Sequence, residues 1–230
     1  MAKKAKFDFN SFVQELKDTA ISKSVDLDSK IERRYYLIVC EGEKTEPIYF
    51  EYFQKRLPKN IIKTIEVKGE GDNTINIIKK CIELNEERKQ NKILPNYDRV
   101  WAVFDKDDFP DKNFNGAVFL ANENNILTAY SNQSFELWYV LHFQYLLSCI
   151  DRKDYINILT DQIGFKYEKN DEKVVKILFE KGKVRQAIKW AKELDEYHIK
   201  NNTSPSKSCP LTKVYELVEE LLEYCKIDIK

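Results

Sequence analysis

Residues 35–42, Tyr35-Tyr36-Leu37-Ile38-Val39-Cys40-Glu41-Gly42, decide the fold. Six apolar residues in a row are too short for a spanning helix and too uniform for a strand with one wet face. They read as a strand covered on both sides, as in a parallel sheet. A second such run, Arg99-Val100-Trp101-Ala102-Val103-Phe104, ends on Asp105-Lys106-Asp107-Asp108. Each run therefore delivers carboxylates at its C-terminal end.

Working outward, Thr45-Glu46-Pro47 opens a helix, with Thr45 as N-cap and Pro47 in the first turn, where a missing N–H is harmless. Residues 61–67 read as a strand and the Gly69-Glu70-Gly71-Asp72 segment as a turn, with Asp72 as the more natural cap of the next helix. That helix follows through Ile75, Ile78 and Ile82 at helical spacing. After the strand at 99–104 comes a helix through Phe114, Val118 and Leu120. A strand at 126–130 and a strongly apolar helix at 135–147, capped by Ser134, complete the series. Strands alternating with helices imply right-handed crossovers and a doubly wound, mainly parallel four-stranded sheet. From 151 onward the pattern is helical and no strand is expected. The chain thus divides into a polar, basic arm at 1–32, an α/β domain at 33–148 and a helical C-terminal region at 149–230.

The 38 basic residues cancel the 38 acidic ones, so bulk charge argues neither for nor against nucleic acid. With 43% hydrophobic and 13% aromatic residues the chain can fill a core without staples. Five scattered cysteines (Cys40, Cys81, Cys149, Cys209, Cys225) form no CxxC pair and read as reduced thiols. The first ten residues carry no apolar leader stretch, and no run of about 18 apolar residues occurs. The expected location is the cytoplasm, away from any membrane.

In a doubly wound sheet, sites form at the carboxyl ends of the strands. Glu41, Asp105 and Asp107, with Asp108 as an alternative in the same loop, would converge there. Hard oxygen ligands open to water suit Mg²⁺ or Mn²⁺. Taken singly, a strand-end acid is a helix cap or a solvated turn residue; the two patterns together outweigh that reading. Lys44 could donate to a phosphate oxygen or be merely solvated. Glu136, in the first turn after the fourth strand, either completes the acidic edge or only answers the helix dipole. His142, on an apolar helix, reads as a hydrogen-bonded core residue. Lys181, Lys183, Arg185 and Lys189, near Trp190, form the preferred basic surface for nucleic acid. Lys3, Lys4, Lys6, Arg33 and Arg34 are weaker candidates of the same kind.

The E-G after one apolar strand and D-x-D after another resemble the Toprim family. The segments IVCEGEKTEPIYF, VWAVFDKDDF and AYSNQSFELWYVLHF more closely resemble the RloB-like family of small Toprim proteins found with prokaryotic defence loci. An echo lies in residues 210–218. The resemblance implies a Toprim-like fold and a Mg²⁺-dependent nuclease acting on DNA or RNA, beside an ATPase encoded nearby. Carried over residue by residue, it makes Glu41 a metal ligand or acid/base, Asp105 and Asp107 metal ligands, and Glu136 part of a second metal position. Glu46 matches the second Glu of the related overcoming-lysogenization-defect nucleases, at a spacing one residue longer. Such a site would work by the two-metal scheme. Three other readings compete: nucleotidyl transfer of the primase kind, a non-catalytic subunit that binds a partner ATPase, and a phospho-acceptor signalling domain, which would need a Lys after the last strand where Ser131-Asn132 stand.

Overall fold

The computed structural model describes residues 34–55, 65–69 and 74–224, which belong to one compact unit, Arg34–Lys230. The polar arm, the Gly69–Asp72 turn beyond Gly69, and Cys225 lie outside the described residues. In chain order the elements are β1 (Tyr36–Cys40), α1 (Thr45–Gln54), β2 (Ile65–Gly69), α2 (Thr74–Gln90), β3 (Arg99–Asp105), α3 (Asp111–Glu123) and β4 (Leu127–Asn132). There follow α4 (Glu136–Leu141), α5 (Arg152–Ile163), α6 (Glu172–Lys181), α7 (Val184–Lys200), β5 (Leu211–Thr212) and α8 (Val214–Leu222).

The sheet order is β2-β1-β3-β4-β5. Pairing is parallel from β2 through β4, with Cys40 opposite Gly69 and Val103, and Asp105 opposite Ser131. This is the doubly wound α/β fold that the alternating strands and helices imply. Every residue of β1 is buried, as expected of a strand covered on both faces. The chain leaves β1 toward β2 on one side and reaches β3 on the other. The carboxyl ends of β1 and β3 therefore flank the point where strand order reverses.

The C-terminal region departs from the expectation that it holds no strand. Leu211 and Thr212 add β5 antiparallel to β4, and the Ser131 and Thr212 hydroxyls meet at 2.9 Å. Two residues are too few to leave a periodicity in the sequence. Asp195, buried on α7, is paired with Lys213 at 2.7 Å and accepts from Tyr215 at 2.7 Å, which ties α7 to the start of α8. A buried carboxylate is tolerable because both partners are present.

The cysteine reading also changes. Cys40 and Cys81 are buried reduced thiols that serve as small hydrophobes. Cys149 and Cys209 form a disulfide across 60 residues of sequence, against the expectation of reduced thiols throughout. Their proximity follows from β5 returning to the sheet beside the segment after α4, which spacing alone does not reveal.

The apolar helix expected at 135–147 stops at Leu141. The carbonyl of His142 accepts from the Lys183 amide at 2.9 Å, a tertiary bond in the place of a helical one. No helix among the described residues is long and apolar enough to cross a membrane.

Candidate functional site

A cleft of about 420 Å³ opens at the carboxyl edge of the sheet. Glu41, Gly42, Glu43, Lys44, Thr45 and Glu46 line it from the β1–α1 turn, Asp105 and Asp107 from the end of β3, and Phe135 and Glu136 from the start of α4. Lys169 and Asn170 close it from the segment after α5. Six carboxylates thus share one hollow.

Backbone pairing sets this arrangement. The Glu41 amide donates to Val103 at 2.8 Å, extending the β1–β3 ladder past β1, and the Asp105 amide donates to Oε2 of Glu41 at 3.0 Å. Beyond β3 the Lys106 amide donates to Ser131 and the Asp107 amide to Gln133, which carries the D-x-D turn across to the end of β4. Asp107 sits at φ 39°, a left-handed conformation that Asp tolerates better than most side chains. Gly42 matters for a different reason. A Cβ there would run into the carboxylate of Glu46, which folds back beneath the turn.

Glu46 and Glu136 are buried, and Oδ1 of Asp105 is buried with no hydrogen-bond partner. Burial pushes the Asp105 carboxyl well above the usual range, and the charges of Glu46, Glu136 and Asp107 push it further. Glu46 is raised likewise, by burial first and then by Glu136, with Lys169 opposing. Repelling buried carboxylates with an orphaned oxygen are what a hard cation relieves. Lys169 does not suffice. Its ammonium is 3.4 Å from Oε1 of Glu136 but its side chain is 57% exposed, so the pair is worth about 1 kcal/mol or less after screening. Among the described residues no three ligands stand preformed around one point. Mg²⁺ keeps several waters and takes few protein ligands, so it does not require a closed cage. The donor set fits Mg²⁺ or Mn²⁺.

The expected residues separate clearly. Glu41, Lys44, Glu46, Asp105, Asp107 and Glu136 come together in the cleft. Asp108 does not. Its side chain is 94% exposed and meets Arg152 at 3.2 Å, outside the cleft, because the left-handed turn at Asp107 sends the next residue away. Thr45 is not used as a simple cap, since its hydroxyl donates to the Lys169 carbonyl at 3.0 Å. Ser134 does not cap α4, and its hydroxyl is buried without a partner. His142 is buried, and its Nδ1–H donates to the Trp138 carbonyl at 2.8 Å, which leaves it in the core. Lys181, Lys183, Arg185 and Lys189 are exposed around the α6–α7 junction, but none lines the cleft. Trp190 stacks on Tyr145 at 5.7 Å.

The sequence reading missed the cations that attend the carboxylates. Arg152, at the start of α5, meets Asp107 at 2.6 Å. Lys169 and Tyr167 both reach Glu136. All three lie in polar stretches that look like any solvated loop or helix face, and no motif marks them.

A family model described as RloB-like protein matches residues 36–221 of the chain. No curated protein and no solved structure matches.

Proposed function

The chain belongs to the RloB-like protein family, and from that membership together with the carboxylate cleft we propose that it is a Mg²⁺-dependent nuclease. The observation that carries the reading is the convergence of Glu41, Glu46, Asp105, Asp107 and Glu136 on one cleft with an unpartnered Asp105 oxygen. Glu41, Asp105 and Asp107 would hold the ion, with Glu46 and Glu136 supporting a second position. Bound there, a divalent ion supplies Lewis acidity toward a phosphate oxygen and lowers the pKa of water.

The chain's own residues do the rest. Asp105, held well above the usual carboxylate range by burial and its neighbours, would ionise more readily beside a divalent cation. Oε2 of Glu41 accepts from the Asp105 amide and so fixes the two carboxyl groups relative to each other. Lys44, exposed at the cleft's lip, is placed to pair a phosphate oxygen of the substrate backbone. In the hydrolysis, a water oxygen bonds to phosphorus while the bond from phosphorus to one ester oxygen breaks, and the leaving oxygen takes a proton. The basic face of Lys181, Lys183, Arg185 and Lys189 would carry the rest of the strand through phosphate contacts. The setting we propose is prokaryotic anti-phage defence, in which an ATPase encoded nearby activates the chain.

The test is cleavage of end-labelled DNA and RNA with Mg²⁺ or Mn²⁺, by the chain alone and with that ATPase. Metal-dependent cleavage that is lost in Asp105→Asn supports the reading. Incorporation of labelled nucleotide without cleavage replaces it with nucleotidyl transfer, and no turnover under any condition leaves a partner-binding subunit.

A further inference from the structure

Glu136 is the most enclosed of the ion-paired carboxylates at the cleft, its side chain only 3% exposed. Its Oε1 faces two donors from one short segment beyond α5, the Tyr167 hydroxyl at 3.1 Å and the Lys169 ammonium at 3.4 Å. That segment is pinned by its backbone. The Lys169 carbonyl accepts from Thr45 Oγ1 at 3.0 Å, one residue from Glu46 at the start of α1. The ammonium therefore hangs over the cleft from a fixed main chain, on a stem that is 57% exposed.

The charge on Lys169 is felt beyond its contact with Glu136. It lowers the proton affinity of Glu46, and burial of the ammonium is outweighed by Glu136, Asp105 and Asp107, which hold it charged. Oδ1 of Asp105 remains without a partner all the same, so Lys169 does not complete the neutralisation of the cleft. Resting on the metal-site reading above, we infer that Lys169 is the resident counter-cation of the carboxylate cleft, which an entering divalent ion displaces from Glu136. Tyr167 keeps Glu136 in place during the exchange, because its hydroxyl bond does not depend on the ammonium.

Titration of MnCl₂ into the whole chain by calorimetry tests this. Two neutral variants, Lys169→Met and Lys169→Gln, retain the backbone bond to Thr45. With no ammonium to displace, they bind Mn²⁺ about threefold tighter or more at low ionic strength, and the gain shrinks in high salt. Lys169→Arg keeps the charge and binds as the parent does. So does Lys166→Met, which removes an exposed lysine that pairs only with Glu168 among the contacts described. Neutral variants that bind Mn²⁺ no tighter than the parent overturn the inference while the metal site stands. A parent that takes up no Mn²⁺ at all overturns the metal reading itself, and the inference with it.

Discussion

The backbone amide of Asp105 donates to Oε2 of Glu41 at 3.0 Å, so the last residue of β3 and the first residue after β1 are locked together at the carboxyl edge of the sheet. The bond joins one carboxylate of the cleft to the main chain that carries another. It ties the placement of Glu41 and Asp105 to the pairing of β1 with β3.

That bond separates fold from charge. In Glu41→Gln the amide oxygen still accepts from Asp105, so the thermal midpoint should stay within about 2 °C of the parent, a change of a few tenths of a kcal/mol. Mn²⁺ affinity and any metal-dependent cleavage should fall by about tenfold or more, the loss of ~1.4 kcal/mol. A Glu41→Gln chain that unfolds early shows instead that the charge holds the β1–β3 edge together.

Gly42 is predicted to matter through Glu46. A methyl at residue 42 meets the Glu46 carboxylate, so Gly42→Ala should either displace that side chain or lose about 1–3 kcal/mol of stability from overpacking. The double variant Gly42→Ala with Glu46→Ala should recover stability relative to the sum of the two single changes, a coupling readable by urea unfolding. Strict additivity would mean that the glycine serves some other contact.

His142 sets a pH dependence with a definite sign. Burial lowers its pKa from 6.5 to about 4 in the folded chain. Between those two values the unfolded chain binds the extra proton, so this residue's contribution falls as pH falls, by about 1.4 kcal/mol per unit and about 3 kcal/mol in all. His142→Gln does not titrate, so its stability deficit against the parent should be largest near pH 7 and shrink toward pH 4. A deficit independent of pH would show that folding leaves the His142 pKa unshifted, and one that grows as pH falls would show that it is protonated in the fold.

The Cys149–Cys209 bond closes a loop of 60 residues, for which chain entropy gives about 4 kcal/mol of stabilisation. A dithiol reductant should lower the melting temperature of the parent but leave the Cys149→Ser, Cys209→Ser variant unchanged. Equal behaviour of the two proteins in oxidising buffer would mean that the thiols are not joined in solution.

The parts of the fold legible in the sequence are those written in continuous local signals. The apolar run at 36–40 and its counterpart at 99–104 are long enough to show two-sided burial, and the acids that follow them inherit their place from the strands. What could not be read depends on distant partners. The two-residue β5 exists because Ser131 and Thr212 meet, and α4 ends early because Lys183 takes the His142 carbonyl. Asp108 looked equivalent to Asp107 until the left-handed turn between them separated the two side chains. Lys169 and Arg152 carry no sequence signal, since a lysine or arginine in a polar stretch is ordinary and only the fold sets it against Glu136 or Asp107.

The central claim is that the cleft between β1, β3 and α4 is a divalent cation site. Calorimetric titration of Mn²⁺ into the parent and into Asp105→Asn, Asp107→Asn tests it most directly, because both substitutions keep side-chain size while removing charge. The account predicts saturable binding by the parent and affinity weakened by about 100-fold or more in the double variant, ~2.7 kcal/mol. A folded double variant that binds Mn²⁺ as tightly as the parent would place the ion elsewhere and contradict the account.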